Sequence, residues 1–163
     1  MSKVYRITKT QVIPAPVEAV WDFFASPSNL KKITPPELDF HLLPGTSGRP
    51  MYPGQILEYT VRPLLGIPFY WMTEITEVVP LRYFIDEQRF GPYSFWHHQH
   101  HFRETGQGVE MTDIIHYRIP LWFLGDLAHG LFVGRQLEKI FSYRSKVTET
   151  IFKPASPEHE TSR

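Results

Sequence analysis

The 163-residue chain contains no cysteine. Disulfides, thiolate metal ligands and a cysteine nucleophile are therefore excluded. The chain also lacks an excess of either charge, with 17 Lys and Arg against 17 Asp and Glu. A protein that grips a phosphate backbone usually carries a basic surplus, so nucleic acid is not an expected partner. Long apolar runs are missing too. The longest, Ile119 to Gly125, falls far short of the roughly 20 residues a membrane-spanning helix needs. The opening Met-Ser-Lys-Val-Tyr-Arg has no apolar core of a secretory signal. Together these absences predict a soluble, cytoplasmic protein with no integral membrane segment.

What is present is an ordinary globular composition, 42% hydrophobic, with aromatics at a high 15%. The length suits one domain with a real core, and the aromatics suit either a large core or an apolar cavity. The strongest periodic signal lies near the end, over residues 126–152. Val133, Leu137, Ile140, Phe141, Val147 and Ile151 fall on one helical stripe, with Glu138, Lys139, Lys146 and Glu149 away from it. Such a helix would be roughly 40 Å long. Gly130 and Gly134 lie beside the stripe, where the sheet comes close or a space stays open. Arg144 interrupts it, and snorkelling to water is the simpler expectation for that side chain.

The segments before this helix read as strands. Residues 3–13 form the first, ended by Pro14 and Pro16. Two short helices follow, one carrying Val17, Val20, Trp21 and Phe24, the other starting at Pro27 with Ser26 as N-cap. Strands are predicted over residues 38–43, 55–62, 69–78, 82–90, 93–104 and 109–119, separated by Gly- and Pro-rich turns. Short connections imply an antiparallel meander. A run of strands closed by one long helix predicts an α+β fold in which a curved antiparallel sheet of six to seven strands wraps around that helix. Residues 1–152 make this domain, and the polar, proline-containing tail 153–163 is expected to be disordered.

The densest polar feature is Trp96-His97-His98-Gln99-His100-His101-Phe102. A strand sends alternate side chains to opposite faces. Trp96, His98, His100 and Phe102 share the aromatic face, which is assigned to the interior. His97, Gln99 and His101 face outward. The next strand, joined through Thr105-Gly106-Gln107-Gly108, should then turn Met111, Asp113, Ile115 and Tyr117 inward. This places Asp113 near the His98/His100 pair. On the preceding strand, alternation leaves open whether Phe84, Asp86 and Gln88 or Tyr83, Ile85, Glu87 and Arg89 face inward.

Three chemistries fit the cluster. Imidazoles, a carboxylate and the Tyr117 hydroxyl could form a hydrogen-bonded polar network at a pocket wall. His98, His100 and Asp113 could ligate zinc or iron. A carboxylate-oriented histidine could act as a general acid or base. The first requires least, so neither a metal nor a cofactor is expected.

Gly91-Pro92-Tyr93, Trp96-x-His98-x-His100-x-Phe102, Asp113-x-Ile115-x-Tyr117 and Phe141-x-Tyr143-Arg144 give the chain a further meaning. Over residues 3–152 it resembles the helix-grip fold of the START/Bet v 1-like (SRPBCC) superfamily. Within it, the chain is similar to a bacterial, polyketide cyclase-like branch of ligand-binding domains, sometimes labelled cell division inhibitor. The resemblance favours Asp86 as inward-facing. It implies a cavity between sheet and last helix that binds a small hydrophobic or aromatic molecule. Trp96, His98, His100, Phe102, Asp113, Tyr117, Asp86 and Phe141 are the expected ligand-binding residues. Two alternatives stay open: a cyclase- or dehydratase-like enzyme using a pocket His or Asp, and an interaction domain for a separate epimerase-like partner.

Overall fold

A computed structural model describes residues 3–45, 48–64, 66–120 and 132–153. The strands are β1 (Tyr5–Ile13), β2 (His41–Leu42), β3 (Gln55–Leu64), β4 (Ile67–Val79), β5 (Tyr83–Phe90), β6 (Phe95–Thr105) and β7 (Gly108–Arg118). They form one antiparallel sheet in the order β1-β7-β6-β5-β4-β3-β2. The sheet holds the C-terminal helix α2 (Gly134–Ile151), while α1 (Val17–Phe24) follows β1. This is the helix-grip α+β architecture.

Alternation decides which residues enter the interior. In β6, Trp96, His98, His100 and Phe102 are buried. In β7 the buried set is Val109, Met111, Asp113, Ile115 and Tyr117. The β6–β7 register sets His98 opposite Ile115 and His100 opposite Asp113. Across the other edge of β6, Asp86 pairs with His98 and Phe84 with His100. Full burial of an aliphatic side chain such as Ile115, 0% exposed, contributes about 2 kcal/mol relative to exposure. A one-residue slip would turn this whole set outward, so the register is strongly specified.

Several sequence expectations need correcting. The second short helix is a 3₁₀ segment, Pro27–Ile33, followed by another at Pro36–Leu38. Ser26 does not cap it, because its hydroxyl pairs with Ser28 Oγ at 2.9 Å. On α2, Leu137, Phe141 and Thr148 are the buried residues, whereas Ile151 is 43% exposed. Thr148 can replace an apolar residue because its hydroxyl donates back to the Arg144 carbonyl at 2.8 Å. Arg144 does not snorkel outward; it turns toward the sheet. Residues 126–131 of the expected long helix, the apolar run from Leu121 onward with Trp122, Gly130, and residues 154–163 lie outside the described residues.

The β6–β7 hairpin closes against the end of β1. Gly108 has φ +120°, and a Cβ there would stand 2.2 Å from the Ile13 carbonyl oxygen. Gly106, in the same turn, has open space around it. We expect Gly108→Ala to cost about 2 kcal/mol or more, combining steric clash with a backbone region closed to L-residues. Gly106→Ala should be close to neutral. Paired thermal unfolding curves check this, and equal midpoints for the two variants would contradict it.

Candidate functional site

Two histidines on one strand meet two aspartates from its neighbours. His98 Nε2–H donates to Asp113 Oδ1 at 2.9 Å, and His98 Nδ1 lies 3.4 Å from Asp86 Oδ2. His100 Nε2 contacts the same Asp86 oxygen at 3.0 Å. His100 Nδ1 lies 2.8 Å from Asp113 Oδ1, but without the alignment of a hydrogen bond. The imidazole centroids are 3.8 Å apart. Phe84 stacks on His100 at 4.2 Å, and Phe141 of α2 meets His98 edge-on at 5.7 Å. The polar group is thus enclosed by aromatic rings, with His98, His100 and Asp113 each less than a tenth exposed.

Burial disfavours every charge here, so the partners decide the ionisation. Burial raises the Asp113 carboxyl, but hydrogen bonds and charge from His100 and His98 outweigh it and hold the group far below the carboxylate range. The same contest leaves Asp86 lowered. Burial lowers His100, yet its close contacts with the Asp113 and Asp86 carboxylates win and raise it. For His98, burial and the neighbouring His100 prevail, and it is lowered. The two imidazoles are thus pushed in opposite directions, His100 toward its charged form and His98 toward its neutral one. Arg144 adds a cation, with Nη1 4.0 Å from Asp113 Oδ1 and its guanidinium carbon 5.1 Å from the Phe141 ring centre. Two carboxylates thus face two imidazoles and one guanidinium.

The network borders two hollows. On one side is an apolar cavity of about 150 Å³ between the sheet and α2, lined by residues that include Leu57, Tyr59, Trp71, Tyr93 and Ile140. Asp86, His98 and His100 supply polar wall, and Arg144 reaches it from α2. On the other side is a polar groove of about 370 Å³, bordered by Lys9, Gln11, Asp113, Arg144, Lys146 and Glu149. The two imidazoles link cavity-side Asp86 to groove-side Asp113. Asp86, His98 and His100 also present ligand atoms within 4.8 Å of one another, a donor set suited to a divalent cation. In the described arrangement those atoms pair with each other, so a cation would have to displace those contacts.

Of the residues singled out from sequence, Trp96, His98, His100, Asp86 and Phe141 line the cavity together. Asp113 belongs to the network but opens to the groove. Phe102 does not line the cavity, because it packs under α1 against Trp21 at 5.4 Å and Phe24 at 5.8 Å. Tyr117 does not line it either; it stacks on Tyr5 at 5.7 Å and is 1% exposed. Trp71, which the sequence reads as core more readily than as cavity wall, lines the cavity, and so do Tyr59 and Tyr93, which are not among the residues the sequence singles out for the site. Alternation alone places Trp71, Thr73 and Ile75 on one face of β4, and only that signal was available. Tyr93 sits in a turn and is positioned by Gln88, whose amide donates to the Tyr93 carbonyl at 2.6 Å. The outward histidines form a surface row, with His97 on Glu87 at 2.9 Å and His101 on Gln99 at 2.9 Å.

The fold has close counterparts among solved structures. A protein from Chromobacterium violaceum superposes with a TM-score of 0.68 at 18% identity, covering 92% of this chain and 98% of that one. A Rhizobium leguminosarum protein gives 0.65 at 15% identity, covering 92% and 97%. Ginseng major latex-like protein 151 from Panax ginseng gives 0.67 at 13%, covering 93% and 99%. A family profile described as polyketide cyclase / dehydrase and lipid transport matches residues 13–152. No curated protein matches the chain.

Asp113→Asn should destabilise the fold by about 3 kcal/mol at neutral pH, because it removes a buried carboxylate that contacts both imidazoles. A lowered carboxyl contributes stability that is fully present above its unfolded value, 3.8 here, and lost as pH falls through the lower folded value. The variant's loss should therefore shrink below pH 3.8. His100, being raised, contributes stability below 6.5 that disappears as pH rises through its higher folded value. Urea unfolding from pH 2 to 9 reads both limbs. A loss for Asp113→Asn that does not vary between pH 2 and 6 would refute the assignment.

Proposed function

Because the chain belongs to the polyketide cyclase / dehydrase and lipid transport family, within the START/Bet v 1-like superfamily, we propose that it binds a small hydrophobic molecule between the sheet and α2. The observation that carries this reading is an apolar cavity whose few polar groups converge on one wall. Apolar walls supply affinity through burial, and a small number of polar groups fix orientation. A volume of about 150 Å³ suits one ring or a short branched chain, since an engineered apolar cavity of about that size holds benzene. Asp86, His98 and His100 would face the polar end of the occupant, with Trp96 and Phe141 against its apolar part. Among the described residues no helix is long and apolar enough to cross a membrane, so access to the cavity would be from water or from a membrane surface.

A second reading is catalytic, and the proton-sharing network favours it. A pocket occupant could lose a proton to His98, which burial and the neighbouring His100 bias toward its neutral form at the cavity wall. Neither the family match nor the structural neighbours bear on an epimerase-like partner.

Native mass spectrometry of freshly purified protein should reveal an organic adduct that is released on denaturation. Ile140→Trp, which fills the cavity from α2, should abolish the adduct while leaving the unfolding midpoint within a few degrees. A bare polypeptide mass, together with no uptake of small aromatic probes by the wild type, would sink the binding reading. Turnover with a bell-shaped pH profile that is lost in Asp86→Asn would promote the catalytic one.

A further inference from the structure

Three buried nitrogens at the cavity have no hydrogen-bond partner among the described residues. Of these, His100 Nδ1 lies beside the Asp113 carboxylate, while two donors have no such neighbour. One is the indole Nε1 of Trp71, the other the guanidinium Nε of Arg144. Both side chains line the apolar cavity. A buried N–H without an acceptor costs on the order of 1–3 kcal/mol, and most native donors avoid this state. The packing around Trp71 offers no relief. Its ring stacks on Tyr59 at 5.8 Å, meets Trp96 edge-on at 5.4 Å and lies 5.5 Å from Tyr93, so aromatic faces surround it. The Tyr59 hydroxyl is engaged by Thr73 Oγ1 at 2.9 Å. Arg144 lies over Phe141, and only its Nη1 approaches a carboxylate, at 4.0 Å.

An acceptor supplied by the occupant would satisfy these donors. Its charge is constrained by the network next to it. The Asp86 carboxylate stands on the same cavity wall, and Asp113 already lies 4.0 Å from Arg144 Nη1, so an added anion would be buried beside carboxylates. A neutral oxygen accepts the same hydrogen bonds without that cost. The cavity volume, about 150 Å³, limits the remainder to a single ring with a short substituent.

Resting on the binding reading above, we propose that the cavity selects a neutral single-ring aromatic molecule bearing a carbonyl oxygen, which accepts hydrogen bonds from Trp71 Nε1–H and Arg144 Nε–H. Asp86, His98 and His100 then face the part of the molecule next to that carbonyl, whereas the Trp71 and Arg144 donors hold the oxygen itself.

Calorimetric titration with acetophenone and with ethylbenzene, its near-isostere without an acceptor, tests the proposal. The wild type should bind acetophenone about ten-fold tighter, the scale of well-placed hydrogen bonds. The preference should fall in Trp71→Phe and in Arg144→Met, and approach one in the double variant, while ethylbenzene affinity is retained. If Arg144→Met does not fold, Trp71→Phe, which keeps a ring in place, must lower the ratio on its own. Equal wild-type affinities, or a preference unchanged in the variants, would overturn the donor assignment and leave the cavity reading standing. Tighter binding of benzoate than of acetophenone would overturn neutrality. Uptake of none of the probes would overturn both this proposal and the single-ring cavity.

Discussion

Four ionisable side chains meet on the inner face of the sheet, and their mutual neutralisation governs what the rest of the structure must do. An isolated buried carboxylate would cost far more than a domain's net stability. Asp86 and Asp113 remain charged only because His98 and His100 stand between them within hydrogen-bonding reach, with Arg144 adding a cation from α2. This requires β5, β6 and β7 to be adjacent, in one register, and it requires α2 to lie across them. A buried ionic cluster of this kind is weak evidence for stability and better evidence for a specific arrangement. Any rearrangement that parts one member leaves another buried and unpaired.

The cluster also divides the interior. On the side of α1, Trp21 and Phe102 pack as ordinary core with Phe24 and Phe84, which also reach the cavity wall. On the other side, Trp71, Trp96 and Tyr93 wall a space that is not filled. The difference lies in what each face has to cover it. α1 brings Val20, Trp21 and Phe24 down onto the sheet, whereas the facing part of α2 presents Leu137, Ile140 and Phe141 at a distance that leaves a cavity. Aromatic walls are stiff, and their stacked and edge-on contacts keep the space from collapsing, because the rings cannot tilt inward without losing neighbours. A cavity held open in this way beside groups of tuned ionisation suits both retention of a small molecule and proton exchange with it. The family contains both kinds of activity in its description, and the fold by itself does not choose between them.

Much of the site was legible in the chain. Strict alternation placed Trp96, His98, His100 and Phe102 on one face. The short hairpin then carried the same logic to β7 and brought Asp113 to the pair, as the register has it. These inferences succeed because a strand's side-chain period and a tight turn are local properties. Asp86 was harder, since both faces of β5 mix polar and apolar residues. Phe102 and Tyr117 show where the local rule stops. Each faces inward as expected, yet one ends under α1 and the other against Tyr5, because facing the interior does not say which part of it.

The amino-acid sequence by itself determined the element types, the antiparallel meander, the closing helix and the pairing of the histidines with Asp113. All of these follow from periodicity and short connections along the chain. Tertiary structure alone decided that Arg144 turns inward over Phe141, that Trp71 and Arg144 keep unpartnered N–H groups at the cavity, and that burial and contacts push the two imidazoles in opposite directions. Those outcomes depend on distances between residues remote in the chain and on how deeply each is buried. No local pattern encodes either quantity.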